Sequence, residues 1–442
     1  MSTSHPSALP RVVGLSGAVW LGLGSILGTG VFVSLGIAAG VAGDGIVVAV
    51  GLAALVATAN GLSSAQLAAA HPVSGGTYEY GRRFVHPSVG FAAGWMFLAA
   101  KSASAATAAL GFAGYLLHTA DLTDDVRARI AVALGLVLVL TLLVAGGLRR
   151  SNAVNVVIVS TTLLALAAFV AFGVAFAGSG GMAAAVGPPA ARVALASPGA
   201  LLHATALMFV AYTGYGRIAT LGEEVREPAR TIPMAVVVTL AVTMVLYVSV
   251  ASTAVAAVGA EAFAAATAQA AAPLEVVARS FGPRALPVFI GLGAISAMAG
   301  VLLNLVLGLS RVVLAMARQG DVPDGLGRVD PDRGSPTRAV GLVGLIIALL
   351  VLVGDLRVTW SFSAFTVLVY YGITNLAALR LPAADRRFPR WIAVCGLTSC
   401  FGLAFFVPRP IWAAGLGLLV AGFGVRAVLR RAAPPGPGVE RP

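Results

Sequence analysis

With 442 residues, 59% of them apolar and only 10% charged, the chain departs from the composition of an ordinary soluble enzyme, which carries about 25% charged residues. A membrane-spanning helix needs roughly 20 apolar residues, so this length holds about a dozen spans with their loops and little soluble domain besides. The net charge of +12 comes from 28 arginines and one lysine, Lys101, against 17 acidic residues. On so apolar a chain this excess marks cytoplasmic loops rather than nucleic-acid binding.

Read in chain order, apolar runs between charged or Pro/Gly clusters predict twelve spans. They cover residues 12–40, 44–70, 88–118, 128–148, 153–178, 199–221, 233–258, 284–317, 337–354, 360–380, 391–407 and 409–430. The first run is too long for the apolar region of a signal peptide. The last two are separated only by Pro408-Arg409-Pro410. An even number of spans places both termini on one side. Arg127, Arg129, Arg192, Arg279, Arg284, Arg357 and Arg409 fall opposite twenty other arginines, with Lys101 and Arg217 inside spans. The arginine-rich side, with residues 1–11 and the Pro/Arg-rich tail 431–442, is therefore expected to be cytoplasmic.

Several chemistries find no support. A phosphate loop needs Gly-Lys-Ser/Thr, and the one lysine stands in Ala100-Lys101-Ser102 within an apolar run. Cys395 and Cys400 fall in an apolar stretch and form no disulfide or zinc pattern. The five histidines are scattered and build no metal or nucleophile–base set. No enzyme activity, metal or cofactor is expected. A channel would need a continuous polar pore, and mid-span polar side chains are scarce.

Two spans carry glycine at their midpoints. Span 1 contains Gly22-Leu23-Gly24-Ser25-Ile26-Leu27-Gly28-Thr29-Gly30-Val31-Phe32, and span 6 contains Phe209-Val210-Ala211-Tyr212-Thr213-Gly214-Tyr215-Gly216-Arg217. Taken singly, such glycines are equally readable as small-residue packing of the GxxxG kind. Occurring five spans apart, they point to a transporter built from two inverted repeats with a midplane site. The repeats are expected at 12–178 and 199–380, with 391–430 added outside. At a broken helix, N–H groups and the positive dipole end favour a carboxylate. Thr29 and Gly30 are the expected donors. Freed carbonyls at Ser25, Ile26, Phe209, Ala211 and Tyr212 are expected to accept from an amine, so an amino acid zwitterion satisfies both ends. Gly28 and Gly214 complete the expected substrate-binding set.

No acidic residue lies at mid-span, which leaves Lys101 as the main candidate for ion coupling. A charged lysine at the centre of a span costs roughly 2.5–3.5 kcal/mol. It reads as a coupling group, as a fixed cation capping carbonyls or standing in for sodium, or as a snorkelling side chain. Arg217 and Tyr215 are candidates for gating. Phe209, Tyr212 and Tyr215 read either as substrate lids or as core aromatics, and His203 as an interfacial or satisfied histidine. Glu223 and Glu224, beside Arg226 and Arg230, read as a solvated salt-bridge cluster.

These residues carry a resemblance to a known family. Gly24 through Phe32, and Phe209 through Gly216 followed by Leu221-Gly222-Glu223-Glu224-Val225-Arg226-Glu227-Pro228, resemble the span 1 and span 6 signatures of the amino acid, polyamine and organocation (APC) superfamily of transporters. Weaker matches are Pro72-Val73-Ser74-Gly75-Gly76-Thr77-Tyr78, Met316 through Pro323 and Asn375 through Arg380. The resemblance implies an all-α membrane protein of the leucine-transporter type, with five-plus-five inverted repeats and interrupted helices 1 and 6. It also implies an amino acid or related amine bound between spans 1 and 6, and alternating access driven by an ion gradient or by exchange. Some proton-coupled members carry a span 5 lysine in place of sodium; that position here falls on Thr161 or Thr162. Arg217 after the span 6 interruption disfavours a cationic substrate. The expectation is a multi-pass permease of the cytoplasmic membrane for neutral amino acids, linked to protons, with the lipid bilayer as its surroundings. The alternatives are an amino acid or amine exchanger using a counter-substrate, or a non-transporting membrane sensor.

Overall fold

The computed structural model describes residues 13–72, 75–122, 125–147, 152–178, 197–219 and 225–432. Arg11, Val73, Ser74, Arg149, Arg150, Arg192, Glu223, Glu224 and the tail from residue 433 lie outside the described residues. Among the described residues the chain is helical and has no β-strand; its extended pairings are isolated bridges, Val13 beside Val225 and Asp330 beside Ser335.

The elements in order are α1 (Leu15–Ile26), a π-helical turn (Gly30–Ser34) running into α2 (Leu35–Ala42), α3 (Ile46–Ala70), α4 (Thr77–Phe84), α5 (Pro87–Thr119), α6 (Val126–Ala145) and α7 (Asn152–Phe176). There follow α8 (Pro198–Tyr212), a 3-10 turn (Thr213–Tyr215), α9 (Gly216–Ala219), α10 (Pro228–Ala270), α11 (Pro273–Ala278), α12 (Ala285–Arg318), α13 (Thr337–Val351), α14 (Leu356–Leu379), α15 (Arg390–Ala404) and α16 (Arg409–Ala432). Among the described residues, eight helical stretches are long and apolar enough to cross a membrane. The range α10 comprises two helices joined at Gly259, whose φ 80° and ψ 158° lie outside the helical region, next to the expected end of the span at residue 258.

Helix α5 lies at the centre, packed along α12 and α14. Its buried stretch is rich in small residues, including Ala100, Ser102, Ala103, Ala105, Ala106, Ala108 and Ala109. Small side chains let helix backbones approach closely where packing, not hydrophobic exclusion, holds a bundle together. At the periphery, Leu138 and Leu142 of α6 and Val420 and Val428 of α16 stay exposed, as lipid-facing side chains do. Asn375 Nδ2 donates to Asn60 Oδ1 at 2.6 Å and Cys400 Sγ donates to the same oxygen at 3.2 Å, tying α14 and α15 to α3. Cys395 and Cys400 are both free thiols.

The two ends of α5 carry different charge clusters. At its start, buried Asp321 accepts from Arg426 Nε at 2.7 Å, Arg82 Nη1 at 3.1 Å and Tyr78 Oη at 2.8 Å, with Arg430 at 3.4 Å. Arg426 also covers the Phe91 ring at 4.8 Å, so the last helix is fastened to α4, α5 and the turn after α12. At its other end, Thr119 donates to Glu275 at 2.7 Å and Arg279 lies 3.6 Å away. Burial pushes the Glu275 carboxyl up from its usual range, opposed by the Thr119 hydrogen bond and Arg279.

Candidate functional site

An α-helix leaves its last four carbonyls and its first four N–H groups without intrahelical partners. In α1 that accounting centres on Leu23 to Ile26. Leu23 O accepts from Leu27 N at 2.8 Å, where Leu27 turns extended (φ −74°, ψ 108°) and ends the helix. Gly24 O accepts from Asn304 Nδ2 of α12 at 3.4 Å, and Ile26 O from Tyr247 Oη of α10 at 3.0 Å. Ser25 O faces Gly214: a Cβ at Gly214 would overlap that carbonyl. Helical structure resumes at Gly30, so Gly28, Thr29 and Gly30 supply the leading N–H groups of the resumed helix.

The second interruption is tighter. The helix α8 ends at Tyr212 and passes into the 3-10 turn Thr213–Tyr215. Thr213 Oγ1 donates to Val210 O at 2.7 Å and accepts from Lys101 Nζ at 2.8 Å, while Tyr371 Oη donates to Thr213 O at 3.1 Å. Tyr247 Oη also reaches Ala211 O at 3.4 Å, so one hydroxyl spans both interruptions. Gly30 is required there, because a Cβ would meet Ala211 and the Tyr247 hydroxyl.

Two adjoining cavities open at this junction. The smaller, of about 40 Å³, is lined by Ser25, Ile26, Thr29, Gly30, Lys101, Ser104, Val210, Ala211, Thr213, Gly214, Val301, Leu305 and Trp360. The larger, of about 190 Å³, shares Ser25, Lys101, Thr213, Gly214, Val301 and Leu305 and runs toward the Asp321 end through Arg217, Tyr78, Arg311 and Ala315. The helix α12 presents Val301, Asn304, Leu305, Gly308, Leu309, Val312 and Ala315 to it, the spacing of one helical face. Away from the Asp321 end the junction is closed: Trp360 Nε1 donates to Leu207 O at 2.9 Å, and Tyr115 Oη donates to Phe32 O at 2.9 Å and accepts from Leu274 N at 3.3 Å.

Of the residues singled out in the sequence, Ser25, Ile26, Thr29, Gly30, Ala211, Gly214 and Lys101 therefore meet at one cavity, and Arg217 lines the passage to it. Gly28 instead lies against Val301. Phe209 packs edge-on to Tyr371 at 5.6 Å, Tyr215 packs against the same ring at 5.4 Å, and Tyr212 packs on Tyr247 and donates to Val50 O at 3.3 Å. None of these three aromatics lines either cavity. Thr162 Oγ1 donates within its own helix to Ile158 O at 2.8 Å, and Thr161 lies where α7 meets Gly293 of α12; neither reaches the cavities. His203, on the early turns of α8, also lines neither. Sequence reasoning missed Tyr247, Asn304, Thr213, Ser104 and Trp360. A lone amide such as Asn304 inside an apolar helix was the available signal, since it must find a polar partner.

The chain matches the amino acid permease family over residues 17–434. It belongs to that family. An uncharacterized transporter of Mycobacterium tuberculosis (strain H37Rv) is 41% identical over 97% of this chain and 94% of its own length. A branched-chain amino acid permease of Bacillus subtilis is 26% identical over 79% of this chain and 76% of its own, and a chloroplastic cationic amino acid transporter of Arabidopsis thaliana 26% over 89% and 69%. This family member is thus a membrane-embedded transporter of small molecules of the amino acid class, and not an enzyme.

Proposed function

We propose that this permease moves neutral amino acids across the cytoplasmic membrane by alternating access, linked to protons through Lys101. The observation that carries the reading is the meeting of both interrupted helices and the only lysine at one cavity. In this reading Ser25, Ile26, Thr29, Gly30, Ala211 and Gly214 form the substrate site, and Arg217 guards the approach to it. Among the described residues no carboxylate lines either cavity, which disfavours a cationic substrate. The apolar face of α12 suits an aliphatic side chain, as the substrate named for the branched-chain relative would require.

The proposed architecture is twelve spans with both termini cytoplasmic, the repeats being 12–178 and 199–380. The packing supports the repeats: α3 packs on α8 as α10 packs on α1, α5 packs on α14 as α12 packs on α7, and a short helix leads into each of α5 and α12. With the arginine-rich end inside, the larger cavity opens toward the cytoplasm.

Uptake of radiolabelled neutral amino acids into proteoliposomes under an imposed proton gradient tests the proposal. Saturable, stereoselective uptake that collapses with the gradient and in Lys101→Ala is expected. Uptake that needs only amino acid preloaded inside and ignores the gradient would make the protein an exchanger.

A further inference from the structure

We propose that Lys101 is a direct ligand of the substrate carboxylate, in a pocket that carries a cation and a helix start and, among the described residues, no carboxylate, so that proton and substrate bind together. This rests on the permease reading above and adds the sign of its coupling.

The smaller cavity has room for a carboxylate or a few waters, each water needing about 10–15 Å³. Its cation and its helix start donate. Lys101 Nζ reaches its wall, and the leading N–H groups at Thr29 and Gly30 carry the positive end of the resumed helix. Thr29 Oγ1 is buried there with no hydrogen-bond partner, and the Ser104 hydroxyl is shared with Ser363 at 2.7 Å. Most nearby carbonyls already have a donor: Ile26 O holds Tyr247 Oη at 3.0 Å, with Ala211 O 3.4 Å from the same hydroxyl, Val210 O holds Thr213, Leu207 O holds Trp360 and Thr213 O holds Tyr371. An ammonium placed in this pocket would meet a second ammonium and, among the described residues, no carboxylate. A carboxylate would meet a cation, a free hydroxyl and a helix start. The amine of a zwitterion then faces the larger cavity, beside Ser25 and Asn304.

The charged and titratable groups around Lys101 do not reverse this. Tyr78 of α4, Arg217 of α9, Arg311 of α12, and Tyr370 and Tyr371 of α14 share the larger cavity with it. Glu275 of α11 and Arg426 of α16 meet α5 only at its ends, through Thr119 and through Pro87, Ser88 and Phe91. Arg129 of α6 lies just beyond the turn after α5 and donates to Gln269 O. A carboxylate beside Lys101 stabilises the protonated lysine, and by reciprocity protonation stabilises the bound carboxylate. The proton comes from solvent and stays on Nζ while substrate is bound, which is the linkage of a symporter. An amine seated against Lys101 would expel the proton and make an exchanger.

Titration calorimetry on the purified protein, in buffers of different ionisation enthalpy over mildly alkaline pH, tests this with a panel of neutral L-amino acids and the carboxamide of the tightest binder. Wild type is expected to take up a fraction of a proton, at most one, per amino acid bound. Lys101→Met is expected to bind roughly thirtyfold or more weakly and without proton uptake, and the carboxamide to lose both affinity and uptake on wild type. Lys101→Arg, which keeps the charge but does not titrate, should recover affinity without uptake. Proton release on binding, no proton exchange at any pH, unchanged affinity in Lys101→Met, or equal binding of acid and carboxamide would each overturn the inference while leaving the permease reading in place. Failure of wild type to bind any amino acid would sink the permease reading itself.

Discussion

Gly214→Val is expected to lower gradient-driven uptake by roughly tenfold to a hundredfold while the protein still inserts in the membrane. Even one added carbon at Gly214 would overlap the Ser25 carbonyl and crowd the Ile26 side chain, and a carbonyl in the backbone of α1 has little freedom to retreat. Overpacking of this kind costs about 1–3 kcal/mol, and each 1.4 kcal/mol is a factor of ten in binding. The strain falls where the interruptions touch, so it should separate them and spoil the smaller cavity. Gly51→Ala is the matched control, because a Cβ there meets nothing within 4 Å. Comparing initial uptake rates with the amount of protein reconstituted decides the matter. Normal uptake by Gly214→Val would mean that close contact of the two interruptions is not required.

The second large effect is expected in stability. Asp321→Asn keeps the shape of the side chain but removes the charge that three arginines share. Arg82 and Arg430 are partly exposed and can turn to water, but Arg426 is 4% exposed and remains buried without its counter-charge. Removing one partner of a buried pair costs about 3–5 kcal/mol, because the other charge stays desolvated. Thermal unfolding in detergent should show a clear fall for Asp321→Asn. Arg430→Gln, whose side chain is half exposed, should change little, as exposed pairs contribute about 0–1 kcal/mol. Equal melting of Asp321→Asn and wild type would show that the last helix is held mainly by apolar packing.

The features that were legible in the sequence are those fixed by local composition. Apolar runs located the helices, and glycine clusters located both interruptions, because a glycine-rich stretch inside a membrane helix marks either close packing or an opening of the backbone. Gly30 and Gly214 in fact do both: each lets another backbone approach while the helix is interrupted beside it. What sequence could not supply was the choice among groups of the same kind. Ser25, Ile26 and Ala211 were all expected to offer carbonyls to an amine, yet Tyr247, on a long apolar helix far along the chain, reaches two of the three. Phe209, Tyr212 and Tyr215 sit beside the second interruption but pack on Tyr371 and Tyr247. Asp321 belonged to a weak motif after α12, and its pairing with Arg426 joins residues 105 positions apart.

The most direct test of the account is a structure of the protein determined with a bound neutral amino acid. The substrate carboxylate is expected in the smaller cavity, within hydrogen-bonding distance of Thr29, Gly30 and Lys101, with the side chain along Val301 and Leu305 of α12. A substrate seated away from both interruptions, or turned with its amine against Lys101, would contradict it.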